Sequence, residues 1–114
     1  MLVDYRQAIA DSDVYVAVRD AAILGMVVLS ARDAGFMLNN LAVAPDWQGH
    51  GIGRALIDFA ENQARVHGHD RILLYTNEKM TENLALYRRL GYIEIARRHE
   101  QGYRRIYMQK PLRA

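Results

Sequence analysis

Apolar and polar residues alternate along the first third of the chain, and the period then changes near residue 52. In "DVYVAVRD", Asp13 to Asp20, the residues Val14, Val16 and Val18 face one way and Tyr15 and Ala17 the other, which predicts a strand. A second strand is predicted over Ile23 to Ala31. "RDAG", Arg32 to Gly35, then supplies turn residues before a third strand, Phe36 to Val43. Pro45 closes that strand because it cannot donate to a ladder. Ahead of this meander, Leu2 to Ala10 reads as a short helix whose apolar set is Leu2, Val3, Ala8 and Ile9.

From Ile52 the spacing is helical: Ile52, Ala55, Leu56, Phe59, Ala60, Ala64 and His67 recur on one face, and Gly68 suits a left-handed cap. "RILLYT", Arg71 to Thr76, is a nearly continuous apolar run, as expected of a buried central strand. Thr81 is expected to cap a second helix carrying Leu84, Tyr87 and Leu90, closed by Gly91. Strands over Tyr92 to Arg98 and Tyr103 to Lys110 flank the turn "HEQG". The predicted order is α-β-β-β-α-β-α-β-β, an α/β class with helices packed on a mixed sheet.

Composition narrows the chemistry. At 114 residues the chain is expected to be one domain over 1–114. No apolar run approaches the roughly 18 residues of a membrane span, so no membrane partner is expected. The acidic, amphipathic opening "MLVDYRQAIADSD" does not read as a signal or transit peptide, and a cytoplasmic location is expected. With no cysteine there is no disulfide, thiolate metal site or cysteine nucleophile. Of four histidines only His67 and His69 lie close together, so no metal site is expected. Residues 1–78 carry a net charge of −4 and residues 79–114 a net of +6, much of it in Arg88-Arg89, Arg97-Arg98 and Arg104-Arg105. Those pairs read either as a solvated face or as a basic wall for an anionic ligand. No arginine-aromatic cluster amounts to a nucleic-acid motif.

The densest signal is "QGHGIG", Gln48 to Gly53, lying between a predicted strand and a predicted helix. Unpaired amides at a helix start attract anions, phosphate above all. Gly51 and Gly53 carry no Cβ to hold such a group away, and Arg54 adds a positive charge. No Lys-Ser or Lys-Thr pair follows, so this is not a P-loop. The third position of a dinucleotide fingerprint falls on Arg54 or Leu56 instead of glycine, so that reading fails too.

"QGHGIG" resembles the Gln/Arg-x-x-Gly-x-Gly/Ala signature of the GNAT superfamily of N-acetyltransferases, preceded by "LAVAP", Leu41 to Pro45. "NLALYRRLGY", Asn83 to Tyr92, is similar to a second segment of that family, and "YRRIYMQKPL" to its closing strand; together these cover roughly residues 13–112. The resemblance implies a mixed, mostly antiparallel sheet and transfer of an acetyl group from acetyl-CoA directly to an amine. It places the coenzyme A pyrophosphate on the amides of Gly49, His50, Gly51, Ile52, Gly53 and Arg54. It also sets the Gln48 side chain near a phosphate and the pantetheine arm along Leu41, Ala42 and Val43. Amides of that same strand are candidate oxyanion donors. Tyr87 matches the tyrosine assigned as general acid to the leaving thiolate. Asn83, one turn earlier, matches an asparagine that often bonds the cofactor; its alternative role is that of a helix-start residue. Packing in the helix's apolar stripe is Tyr87's alternative role.

Two departures from the family pattern follow. Where relatives place a glutamate base, this strand reads "FMLNNLAV", and Asn39 and Asn40 cannot accept a proton usefully; Glu78 is the nearest acidic alternative. The resemblance also implies that the usual first strand and part of the first helix pair are missing. That would leave an open sheet edge, for which a homodimer is expected. The sequence thus predicts an acetyl-CoA-dependent N-acetyltransferase acting on an amine of a small molecule, peptide or protein. For such a substrate the arginine pairs from Arg88 onward point equally to solvation or to an acceptor that bears a carboxylate, such as an amino acid or peptide. The alternative is a truncated, non-catalytic acyl-CoA-binding or regulatory module.

Overall fold

A computed structural model of the chain describes residues 5–9, 12–32 and 35–113. Seven strands form one sheet: β1 (Tyr5–Ile9), β2 (Ser12–Arg19), β3 (Ala22–Arg32), β4 (Gly35–Val43), β5 (Arg71–Asn77), β6 (Ile93–Glu100) and β7 (Tyr103–Pro111). Helix α1 (Ile52–Val66) links β4 to β5, and α2 (Thr81–Arg89) links β5 to β6. The spatial order is β1-β2-β3-β4-β5-β7-β6. Only β4 and β5 run parallel; the other neighbours are antiparallel. The α/β class and the mostly antiparallel mixed sheet are those expected from the sequence.

The first element is a correction. Residues Tyr5–Ile9 of the expected Leu2 to Ala10 helix form a strand, with Tyr5 opposite Val16 and Ile9 opposite Ser12; the remaining residues of that span lie outside those described. Five residues of helix bring little stabilisation of their own. Pairing with β2 satisfies their amides and carbonyls along a ready edge. Thr81 is also not a cap: it is the first helical residue of α2, and Met80 precedes it without a side-chain capping bond.

Both helices pack on the same face of the sheet. Gly25 of β3 lies beneath Leu56 and Ile52 of α1, and Leu86 of α2 approaches Gly53 of α1. One buried cluster runs through Val27, Leu38, Leu56, Ile57, Leu74, Leu84, Ile106 and Met108. Both helices end in a Schellman motif. In α2, Gly91 N donates to Arg88 O at 3.1 Å and Tyr92 N to Tyr87 O at 3.0 Å, with Gly91 at φ 100°. In α1, His69 N donates to Ala64 O at 2.9 Å, and Gly68 takes the left-handed position expected of it.

Candidate active site

The site begins where β4 and β5 part. Their parallel register covers only Phe36–Leu38 against Ile72–Leu74, although β4 continues to Val43 and β5 to Asn77. The cause lies in β4. Val28 of β3 pairs with Asn40 but the next residue, Leu29, pairs with Leu38, so Asn39 is an extra residue on β4. Such a bulge bends and twists its strand. Asn39 is held there by its Nδ2, which donates to the buried Ser30 Oγ at 2.7 Å. The divergence opens a V-shaped cleft through the sheet.

Two adjoining cavities occupy the cleft. The larger, about 640 Å³, lies between the end of β4, the start of α1 and α2. It is bordered by Leu41, Ala42, Val43, Gln48, Gly49, Gly51, Ile52, Gly53, Arg54 and Asn83. Those are the sequence-predicted cofactor residues with one exception. His50 lines neither cavity: its ring packs against Trp47 at 5.3 Å, and its backbone N donates to Trp47 O at 3.4 Å.

Around this cavity the backbone is prepared for an anion. Gly49 and Gly51 have φ of 82° and 81°, which L side chains rarely adopt, and the space above both is open. The first helical bond of α1 is Ala55 N to Gly51 O at 3.0 Å. The amides of Gly51, Ile52, Gly53 and Arg54 therefore precede the ladder and make no hydrogen bond among the described residues. No acidic residue in the first turn of α1 neutralises this positive end. Arg54 and Arg89 face Glu82 across the same space, leaving a positive excess. Gln48 is turned back, its Nε2 donating to Val43 O at 3.4 Å.

The smaller cavity, about 340 Å³, lies at the apex of the cleft and meets the first at Leu41, Met80 and Asn83. Tyr87 reaches it from α2. Only 4% of Tyr87 is exposed, and burial pushes its phenol up to about 12. Its hydroxyl makes no hydrogen bond among the described residues, yet no buried polar side-chain atom there is left without a partner; the hydroxyl therefore meets the cavity. The ring is fixed from behind by Tyr92, 5.8 Å away between centroids, through the Schellman turn. Tyr92 Oη in turn donates to Glu61 at 3.0 Å, and Lys110 Nζ bonds the same carboxylate at 3.0 and 3.2 Å.

Two sequence expectations look different here. The Leu41 amide, a candidate oxyanion donor, donates to Asn40 Oδ1 at 2.8 Å and is not free. Glu78 lines neither cavity; it stands 4.0 Å from Arg104. Among the described residues no carboxylate lines the smaller cavity, whose walls include Tyr75, Tyr103 and Arg105. Of those three, sequence reasoning named Arg105, within the Arg104-Arg105 pair, and did not single out Tyr75 or Tyr103. Their signal is strand alternation, which sends Tyr103, Arg105 and Tyr107 to one face of β7. It also missed Glu61, a charged residue embedded in the apolar stripe of α1.

An acetyltransferase (GNAT) domain family matches residues 10–94. Mycothiol acetyltransferase of Beutenbergia cavernae is 36% identical over 84 residues, which are 73% of this chain and 28% of that protein. The match thus spans just over a quarter of that relative's length. Among solved structures, nourseothricin acetyltransferase superposes with a TM-score of 0.82 at 28% identity, over 91% of this chain and 67% of that one. A GNAT family acetyltransferase from Elizabethkingia anophelis with acetyl-CoA bound gives 0.79 at 23% identity, over 90% and 77%. With residues 10–94 matching that family and the cleft built as described, the chain belongs to the GNAT acetyltransferase domain family.

Proposed function

We propose that the chain is an acetyl-CoA-dependent N-acetyltransferase. The observation that carries this reading is the cleft between β4 and β5, with unpaired helix-start amides at one end and the Tyr87 hydroxyl at the other. The pyrophosphate of coenzyme A would lie on the amides of Gly51 to Arg54, and the pantetheine arm along Leu41 to Val43 toward the apex.

The amine nitrogen attacks the thioester carbonyl, the C–S bond breaks, and the coenzyme thiolate takes a proton while the amine loses one. Tyr87 supplies the proton to sulfur, and its raised pKa keeps it protonated for that task. The Leu41 amide is the oxyanion donor once Asn40 Oδ1 gives way to the thioester oxygen. Since no carboxylate among the described residues lines the apex, the amine arrives neutral or loses its proton to water. That same lack favours the second reading, a module that binds acyl-CoA without turnover.

We read residues 1–114 as one domain in the cytoplasm and as a homodimer. Support for the dimer comes from edge strand β6, whose Ile93 and Ile95 are 55% and 48% exposed. Light scattering at the mass of one chain would remove the dimer.

Calorimetric titration with acetyl-CoA, with NADH as control, tests the reading. Saturable binding of acetyl-CoA alone is expected; absence of binding overturns it. An amine screen detecting released thiol then separates enzyme from binding module.

A further inference from the structure

Alternation along β5 and β7 sends Thr76, Ile106 and Met108 into the core and Tyr75, Arg105 and Tyr107 to the face away from the helices. There the guanidinium of Arg105 lies 4.6 Å from the Tyr75 ring centroid, and its Nη2 donates to Gln101 Oε1 at 3.2 Å. Its register partner on β6 is another cation, Arg98, which lies 5.1 Å from the Tyr107 ring. Like charges directly opposite on paired strands repel. Neither arginine has an ion pair among the described residues. The nearby Glu100 accepts a hydrogen bond from the Tyr107 hydroxyl. Among the described residues, Arg105 is the one charged residue lining the smaller cavity.

We propose that Arg105 selects the acceptor, and that the amine substrate carries a carboxylate of its own, as a free amino acid or short peptide does. The inference rests on the N-acetyltransferase reading above and names its substrate class. A planar guanidinium with no direct ion pair among the described residues, linked to Glu100 only through the Tyr107 hydroxyl, can bind a carboxylate with two parallel hydrogen bonds, and a carboxylate would also relieve the repulsion between Arg98 and Arg105. A polycationic amine meets the opposite field and no acid to receive it. The guanidinium has a second effect: a nearby positive charge disfavours the ammonium form of the acceptor. It thus favours the neutral nucleophile in a cavity where no carboxylate base stands among the described residues.

The test measures thiol release with a panel of amino acids and dipeptides, each as the free acid and as its amide, beside spermidine. Wild type, Arg105→Gln and Arg105→Lys are compared, with acetyl-CoA binding measured on the same samples. For the favoured acceptor, kcat/KM should be about tenfold higher for the acid than for its amide, with spermidine below both. Arg105→Gln should collapse that ratio toward one, chiefly through KM, and Arg105→Lys should retain part of it. Equal or better use of amides or spermidine overturns the inference, as does an unchanged ratio in Arg105→Gln. Acetyl-CoA binding without turnover of any free acid overturns it too. Failure of the wild type to bind acetyl-CoA removes the parent reading, and this inference with it.

Discussion

Tyr87 shows how one side chain serves packing and chemistry together. Its ring belongs to the core cluster while its hydroxyl meets the cavity without a partner among the described residues. Tyr87→Phe therefore removes no hydrogen bond, and unfolding stability should change by less than about 0.5 kcal/mol. Acetyl-CoA affinity should hold while kcat falls by about 10²-fold, the usual contribution of a general acid. Full activity in the variant would reduce the residue to packing. With the phenol at about 12, the acid stays protonated where an unperturbed tyrosine begins to ionise, so kcat/KM should show no descending limb below about pH 11. Among the glycines, Gly51 is a poor probe of the phosphate loop because φ 81° strains any replacement. Gly53 has ordinary helical backbone, and an added Cβ would meet Val43 and Leu86 only at 3.6 and 3.8 Å. Gly53→Val should fold and lose about tenfold or more in acetyl-CoA affinity by calorimetry, since its methyls project into the cleft. Unchanged affinity would move the cofactor elsewhere.

Elements were legible where local pattern and tertiary role agree. The period change at Ile52, the apolar run from Arg71 and the glycines closing both helices each gave the right element. The first five described residues did not, because a short segment takes whatever partner the fold offers, and β2 presented an edge. The β2–β3 turn holds a local conflict. Asp20 and Ala21 have φ of 49° and 67°, the conformation a two-residue hairpin prefers to give to Asn-Gly. Ala21 carries a Cβ in the left-handed region, at a cost of about 1 kcal/mol. Ala21→Gly should raise unfolding stability by roughly 0.5–1 kcal/mol in urea titration, activity unaltered. A loss of stability would mean the turn is not strained. The bulge at Asn39, which parts β4 from β5, had no signal in strand pattern, since it depends on the register with β3.

At the scale of the whole molecule, Glu61 ties three distant segments together: α1, Tyr92 in the turn that closes α2, and β7 near the C-terminal end. Its carboxylate is 5% exposed and serves Tyr92 and Lys110 at once. Glu61→Gln strands a half-buried ammonium and should cost about 2 kcal/mol in urea unfolding. The double variant Glu61→Gln/Lys110→Met should recover part of that, because no cation remains to be compensated; no recovery would mean the cost comes from Tyr92 instead. Because Tyr92 buttresses Tyr87, the tie also sets the reach of the proposed acid. What the sequence determined by itself was local and periodic: the alternation of the strands, the amphipathic helix from Ile52, and glycines whose positive φ prepares the loop after Gln48. What only the tertiary structure decided was non-local. The pairing of residues 5–9, the splay between β4 and β5, the Asn40 bond on the Leu41 amide and the lone Arg105 in the apex cavity each depend on registers between separate segments. Contacts of that kind leave no period along the chain, because their geometry is settled only when the strands meet.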